Sequence, residues 1–357
     1  MQTANEGSIT LKIPKAEKIS KSMGVFYNPV MSLNRDISVL LLNSINKKSL
    51  QIADPLAATG VRSIRFLKEL NKNKIKNIYI NDCNKSAVTL IRKNLALNKI
   101  RYSNNRQIII KNEDANLFLL NSTGFDYIDI DPFGTPNPFL DAACKRLARD
   151  GILAVTATDT SALCGTFPNA CLRKYWALPR KDFMMHETGL RILIRKIQLV
   201  GAQYDKALFP IFSYSKEHYM RAFLRNDKGK GNVDEILMQH GIFNEAGQMW
   251  LGSLWDRGLA EKMHKSAASS KIFRDNKELI KFLETIKEES RINSVGFYDL
   301  HWICKKNKIK SVPKKEKIKI RIRKAGCQAA NSHFKGEGIR SDIPIGKLVK
   351  ILANENK

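Results

Sequence analysis

Phe125-Asp126-Tyr127-Ile128-Asp129-Ile130-Asp131-Pro132-Phe133-Gly134 alternates apolar residues with acids and then stops on Asp-Pro-Phe-Gly. Alternation over this length predicts a strand, and Pro followed by Gly breaks it into a turn. The break sets a carboxylate, a backbone carbonyl and an aromatic ring together at a strand's carboxyl end. In open α/β sheets that is where ligands bind. Asp, Pro and Gly are also the commonest turn residues, so the stretch alone reads equally well as an ordinary strand exit.

Its neighbours tilt the balance. Upstream, Leu50-Gln51-Ile52-Ala53-Asp54 is a short buried strand, followed by Pro55-Leu56-Ala57-Ala58-Thr59-Gly60-Val61-Arg62 and a helix to about Leu70. A strand, a turn of small residues and a helix N-terminus form the seat of a nucleotide-like cofactor on a doubly wound sheet. Only Gly60 remains of the glycine fingerprint, which argues against a dinucleotide. Strands over 76–82 and 107–115 enclose a helix over 86–97. Asp54, Asp82, Asp114 and Asp131 thus close four successive strands. Any one of them could be a helix cap; four in phase point to a site. Downstream come a helix over 139–149, a strand over 151–157, a helix over 187–200 and two strands near 207–214 and 218–224. The last pair, joined by a short turn, reads as an antiparallel hairpin. The expected fold is therefore α/β: a mostly parallel, Rossmann-like sheet ending in an antiparallel hairpin, the layout of class I methyltransferases.

Before the first unit, Ile9-Thr10-Leu11-Lys12-Ile13 is a candidate strand in a short arm. Phe26 and Tyr27 precede Pro29, which keeps them out of helix, and Ser32 or Asn34 suits a helix cap. The most linker-like stretch is Asn226-Asp227-Lys228-Gly229-Lys230-Gly231. It suggests two domains, 1–225 and 226–357. The second, smaller α+β domain starts with helices near 261–265 and 277–290. From Ser294 it reads as a winged helix-turn-helix, with a helix over 298–306, a second running from Pro313 to Gly326, and a wing turn at Lys335-Gly336-Glu337-Gly338. Lys317-Ile318-Lys319-Ile320-Arg321-Ile322-Arg323 alternates like a strand but also fits a helical face; Pro313 and Gly326 favour helix.

Of the 357 residues, 61 are Lys or Arg and 34 are Asp or Glu, a formal charge of +27. Such an excess suits a polyanionic partner, because phosphate neutralisation dominates nucleic-acid affinity. Residues 305–324 form the densest basic segment, with Glu316 its only acid, and phosphate contact is expected there. No stretch approaches the roughly 20 apolar residues of a membrane span, and the start lacks a signal-peptide pattern, so a cytoplasmic location is expected. The six cysteines include no Cys-x-x-Cys pair, and no metal is expected.

Taken in order, several stretches resemble the tRNA guanine-N2 dimethyltransferase (Trm1) family of the archaeal type. They are Phe26-Tyr27-Asn28-Pro29, Asn34-Arg35-Asp36, Ala58-Thr59-Gly60-Val61-Arg62, Asn81-Asp82, Asp114-Ala115-Asn116 and Asp129-Ile130-Asp131-Pro132-Phe133-Gly134. Further on come Thr156-Ala157-Thr158-Asp159, Cys164-Gly165, Ala170-Cys171-Leu172-Arg173-Lys174-Tyr175, His333-Phe334 and Gly338-Ile339. The resemblance implies S-adenosyl-L-methionine as methyl donor and guanine 26 of tRNA as acceptor. It assigns Arg35 and Arg62 to the donor's charged end, Asp82 to its ribose, and Asp114 with Ala115 to its adenine. Phe167 stands near the place where family members often carry a His. For the reaction, Asp131 and the Pro132 carbonyl are expected to accept the N–H bonds of the guanine amine, aiming its lone pair at the methyl group. Phe133 and Phe26 are the candidate faces of an aromatic clamp on the flipped base. Two alternatives stay open: methylation of another base amine such as adenine N6, and a catalytically silent tRNA-binding or folding module. The chain is expected to act as a monomer.

Overall fold

The computed structural model describes residues 1–15, 25–102 and 107–354. Seven strands form one sheet: β1 (Leu50–Asp54), β2 (Ile75–Asn81), β3 (Ile108–Lys111), β4 (Phe125–Ile130), β5 (Leu147–Ala157), β6 (Lys206–Lys216) and β7 (Tyr219–Lys228). Their order is β3-β2-β1-β4-β5-β7-β6. The first five run parallel, and β7 and β6 close the edge as an antiparallel hairpin. This is the class I methyltransferase layout. Ile52, Ile80, Ile128, Ile130, Leu153 and Val155 are all buried, as a sheet covered by helices on both faces requires. Strand order reverses between β1 and β4, so Asp54 and the Asp131 turn emerge side by side at the switch point.

Three local readings change. The amino-terminal arm is a hairpin, Gln2–Glu6 against Ile9–Ile13, whose Ile9, Leu11 and Ile13 join the main core. Neither Ser32 nor Asn34 caps the helix Ser32–Ser44. A turn of 3-10 helix, Pro29–Met31, leads into it, and the Asn28 side chain accepts the Val30 N–H. Asn34 is instead wholly buried beneath the site. The β5 strand begins at Leu147 rather than Gly151.

Strand β7 runs past residue 225, and the linker-like stretch is not a linker. Asn226 is buried and donates to the Ala148 carbonyl at 2.9 Å, and Gly229 leads directly into the helix Lys230–Met238. The helices Arg257–Ser269 and Lys277–Glu289 contribute Leu259, Met263, Leu279 and Leu283 to the same apolar core as the sheet. A separate, smaller core gathers Leu300, Ile303, Ile318, Ile322, Leu348 and Leu352. It is built from the helices Leu300–Lys306, Lys315–Lys324 and Ile345–Asn354 with the strand pair Ala329–Asn331 and Gly338–Ser341. Residues 317–323 are therefore helical. Ile318 and Ile322 are buried while Ile320 is exposed, which a strand's alternation would not permit. Among the described residues no helix is long and apolar enough to cross a membrane.

Candidate active site

A cleft opens at the carboxyl ends of β1 and β4. Phe26, Arg35, Arg62, Asp131, Pro132 and Phe133 all line it, together with Asp54 and the small residues Ala57, Ala58 and Thr59. Those small residues let the backbone approach a ligand closely. Gly60 makes the turn possible: its φ of +76° is left-handed, and it starts the helix Val61–Glu69, whose free N–H groups face the cleft end.

The Asp131-Pro132-Phe133-Gly134 turn is fixed at both ends. Gly134 adopts φ +77°, its N–H donates to Thr158 Oγ1 at 2.7 Å, and its carbonyl accepts the Thr158 N–H at 2.9 Å. The Asp131 Oδ2 atom is held by Arg62 Nη2 in a short ion pair. Among the described residues Oδ1 has no partner, and the Pro132 carbonyl accepts no backbone hydrogen bond. Two acceptors are thus left open beside the Phe133 ring. Phe133 is 43% exposed, and the Phe26 ring meets it edge to face with centroids 4.1 Å apart. A flat base between two rings needs about 3.5 Å on each face, so the two rings have to part to admit one.

Arg62 is the hub beneath the turn. Its Nη1 donates to Asn34 Oδ1 at 3.1 Å and Ser38 Oγ at 2.8 Å, and its Nε lies 3.3 Å from Asp129 Oδ1. Asp129 is also bound by Arg221 on β7, at 3.0 and 2.6 Å, and by the Tyr127 hydroxyl at 2.6 Å. Burial pushes the Asp129 pKa up, but Arg221 and Arg62 more than offset it, leaving the carboxyl below its ordinary value. Asp54 has the opposite balance. Burial and the neighbouring Asp129 charge push it up to about 7, despite Arg62 and a hydrogen bond from Ser63 Oγ at 2.7 Å.

Arg35 is bound by Glu6 of the amino-terminal hairpin, through Nε at 2.6 Å and Nη2 at 2.5 Å, and donates to the Asn28 carbonyl at 3.0 Å. Asp82 lies outside the cleft lining but is tied to it: Oδ2 accepts the Ala58 N–H and Oδ1 the Asn84 N–H, both at 2.8 Å. Asp114 caps the helix Ala115–Leu120, accepting from Asn116 and Leu117, and both Asp114 and Ala115 stand just past the end of β3, outside the cleft lining. The structure therefore gathers Phe26, Arg35, Arg62, Asp131, Pro132 and Phe133 and leaves Asp82, Asp114 and Ala115 along the neighbouring strand ends. Sequence reading missed Glu6, Asn34, Ser38, Asp129, Thr158 and Arg221. One signal was available: Asp129 lies between Ile128 and Ile130, and Arg221 lies among the apolar residues of Tyr219–Leu224, where a charge has to be paired.

Comparison with known proteins follows the same lines. The family model for N2,N2-dimethylguanosine tRNA methyltransferase matches residues 7–245 and 240–353. The chain is 36% identical over 388 residues to the tRNA (guanine(26)-N(2)/guanine(27)-N(2))-dimethyltransferase of Aquifex aeolicus, covering 98% of this chain and 95% of that protein. It is 39% identical over 378 residues to the tRNA (guanine(26)-N(2))-dimethyltransferase of Pyrococcus horikoshii, covering 97% of each. The solved structure of Trm1 from Pyrococcus horikoshii with S-adenosyl-L-methionine superposes with a TM-score of 0.89 at 36% identity, over 98% of this chain and 99% of that one. The chain belongs to the N2,N2-dimethylguanosine tRNA methyltransferase family.

Proposed function

We propose that this protein methylates the exocyclic N2 of guanine 26 in tRNA, once or twice, using S-adenosyl-L-methionine. The observation that carries the reading is the pair of open acceptors, Asp131 Oδ1 and the Pro132 carbonyl, beside an exposed aromatic ring at the mouth of the cleft. The names of near full-length relatives support the acceptor, and the Pyrococcus complex supports the donor.

The cleft fits the donor: it has small backbone-lined walls, an open helix N-terminus for a carboxylate, and arginines to hold its charged end. Arg35 and Arg62 would hold that end, Asp82 the ribose, and Asp114 with Ala115 the adenine. When bound, the donor supplies an electrophilic methyl group on a sulfonium sulfur. The rest falls to the chain. A guanine amine is a poor nucleophile because its lone pair is delocalised into the ring. Asp131 Oδ1 and the Pro132 carbonyl accept its two N–H bonds, which draws the lone pair out of conjugation and aims it. Arg62 holds Asp131 in the rotamer this requires, so the rate gain comes from orientation and preorganised charge. Each transfer leaves the nitrogen cationic until one N–H proton passes to Asp131 and on to solvent; after the first transfer one N–H remains for one acceptor, and a second transfer can follow. Extruding the base costs a few kcal/mol, and stacking on Phe133 and Phe26 offsets about 1–3 kcal/mol per contact. The exposed Lys305, Lys306, Lys308, Lys310, Lys314, Lys317, Arg321, Arg323 and Lys324 meet the tRNA backbone, with the protein acting as a monomer.

The test is incubation of the protein with labelled donor and, in separate reactions, unmodified tRNA or duplex DNA, followed by nucleoside analysis. Mono- and dimethylguanosine at position 26 are expected. Label in methyladenosine instead, or label only in duplex DNA, would overturn the reading.

A further inference from the structure

The helix Pro168–Tyr175 stands directly behind the catalytic turn and carries features that methyl transfer does not use. Its buried side is Cys171 and Tyr175, four residues apart. Three bonds join it to the site. Tyr175 Oη is 3.0 Å from Thr135 Oγ1, two residues beyond Phe133; Asn137 Nδ2 donates to the Lys174 carbonyl at 2.7 Å; and Lys174 Nζ pairs with Asp159 at 2.8 Å. Its exposed side carries Asn169, Arg173 and Lys174, but large apolar groups are exposed there too, on the helix and in the residues flanking it. Phe167 is 60% exposed, Trp176 and Leu178 are 50% exposed, and Leu172 is exposed as well. A ring that is mostly solvated gains little from folding, and the other three leave about half of their surface in water.

The two aromatics sit at opposite ends of the helix, each on a constrained backbone. Phe167 precedes Pro168, and its N–H donates to the Ser161 carbonyl at 3.1 Å. Trp176 adopts a left-handed φ of +56°, an outlier for so bulky a side chain, and the Lys196 ammonium lies 2.9 Å from its ring centroid. Between and beyond them lie Arg173, Lys174, Arg180 and Lys181, all exposed. Lys174 and Arg180 have acidic partners, whereas among the described residues Arg173 and Lys181 have none. Exposed rings interleaved with free cations match an RNA surface, since rings stack on bases and cations meet phosphates.

Accordingly, we propose that this face seats the RNA stem beside the target guanine, and that Phe167 enters the gap left when that guanine swings into the cleft. The inference rests on the tRNA reading above and goes further by naming what fills the vacated space. An inserted apolar ring replaces the lost stacking and keeps the base from returning. It acts on the position of the base and not on the transferred methyl group.

The test uses the full chain and a tRNA carrying 2-aminopurine in place of guanine 26, whose fluorescence rises when the base unstacks. With the wild type, binding should brighten it. Phe167→Ala should lose that brightening at saturating enzyme and lower kcat on ordinary tRNA roughly tenfold, the loss expected of one stacking contact. Its affinity for S-adenosyl-L-methionine should stay within about twofold. Phe167→Trp should restore both readouts. Arg173→Ala should raise the Kd for tRNA and lower its salt slope by about one. Wild-type kcat and brightening in Phe167→Ala would overturn the proposal, and so would a rise in KM alone. A wild-type dimer that Phe167→Ala dissociates would assign the face to a second copy of the chain. Failure of the tRNA reading is seen separately, as a wild-type protein that methylates no guanine.

Discussion

A carboxylate at position 131 is constrained by what lies on either side of it. One oxygen faces the Arg62 guanidinium, which can only donate, and the other faces the space assigned to an amine, which must also donate. Asparagine cannot serve both. If its oxygen faces Arg62, its NH2 faces the amine; turned over, its NH2 meets Arg62. Asp131→Asn should therefore lose methyl transfer almost as completely as Asp131→Ala, by about 100-fold or more, the scale seen when one preorganised hydrogen-bonding group is removed. Single-turnover assays would measure it, with donor and tRNA binding as controls that should barely change. An Asn variant close to wild-type rate would remove the role. Asp131 itself was legible in the sequence, because alternation into Asp-Pro-Phe-Gly marks both a strand end and a turn. Its support was not. Asn34 reads locally as a helix cap, and only the fold brings it beneath Arg62, 28 residues away in the chain.

At the scale of elements, the amino-terminal hairpin is part of the site. Glu6 accepts from Arg35 and Arg65 and from the Tyr27 hydroxyl at 3.0 Å, so one side chain fixes both a cleft arginine and the residue after Phe26. Burial works against its ionisation, but Arg35 and then Arg65 more than offset that and hold its pKa low. Glu6→Gln keeps the shape and removes the charge. The expected result is a roughly tenfold rise in KM for S-adenosyl-L-methionine with kcat changed less than about threefold, since Arg35 stays in place but loses its bidentate anchor. Steady-state kinetics on protein with an unchanged circular-dichroism spectrum would show it; unaltered KM and kcat would make the hairpin a bystander. Strands and helices of the sheet were readable from period and turn chemistry, because each alternation or apolar run is local. The hairpin's function was not, since it depends on a contact between Glu6 and Arg35 set by folding. Likewise, the periodicity of 317–323 fits two conformations, and the second core decides by burying Ile318 and Ile322 together.

Across the whole molecule, the two cores must keep a fixed relation if a basic surface on one is to present a base to a cleft in the other. A buried ionic strut provides that relation. Arg340, on the strand Gly338–Ser341, is bound by Glu187 at 2.5 Å and by Glu289 at 3.0 Å. Glu187 also pairs with Arg191 at 2.9 Å and accepts the Gly296 N–H at 2.9 Å, while Glu289 pairs with His333 at 2.5 Å. All four of Arg340, Glu187, Glu289 and Arg191 are buried. Burial pushes Glu187 up, but Arg340 and Arg191 outweigh it and bring the carboxyl down to about 2 from an ordinary 4.5. A depressed carboxyl contributes stability that is complete above its unfolded pKa and is lost as pH falls toward its folded one. The window for Glu187 is therefore about pH 4.5 down to 2. Removing one partner of a buried pair leaves the others uncompensated, a cost of about 3–5 kcal/mol. Glu187→Gln should lose that much at pH 7, by denaturant unfolding. The gap to wild type should narrow steadily as pH is lowered through the window, because the wild-type carboxyl is then being neutralised too. A gap as wide at pH 3 as at pH 7 would mean that the Glu187 charge does not hold the two cores together.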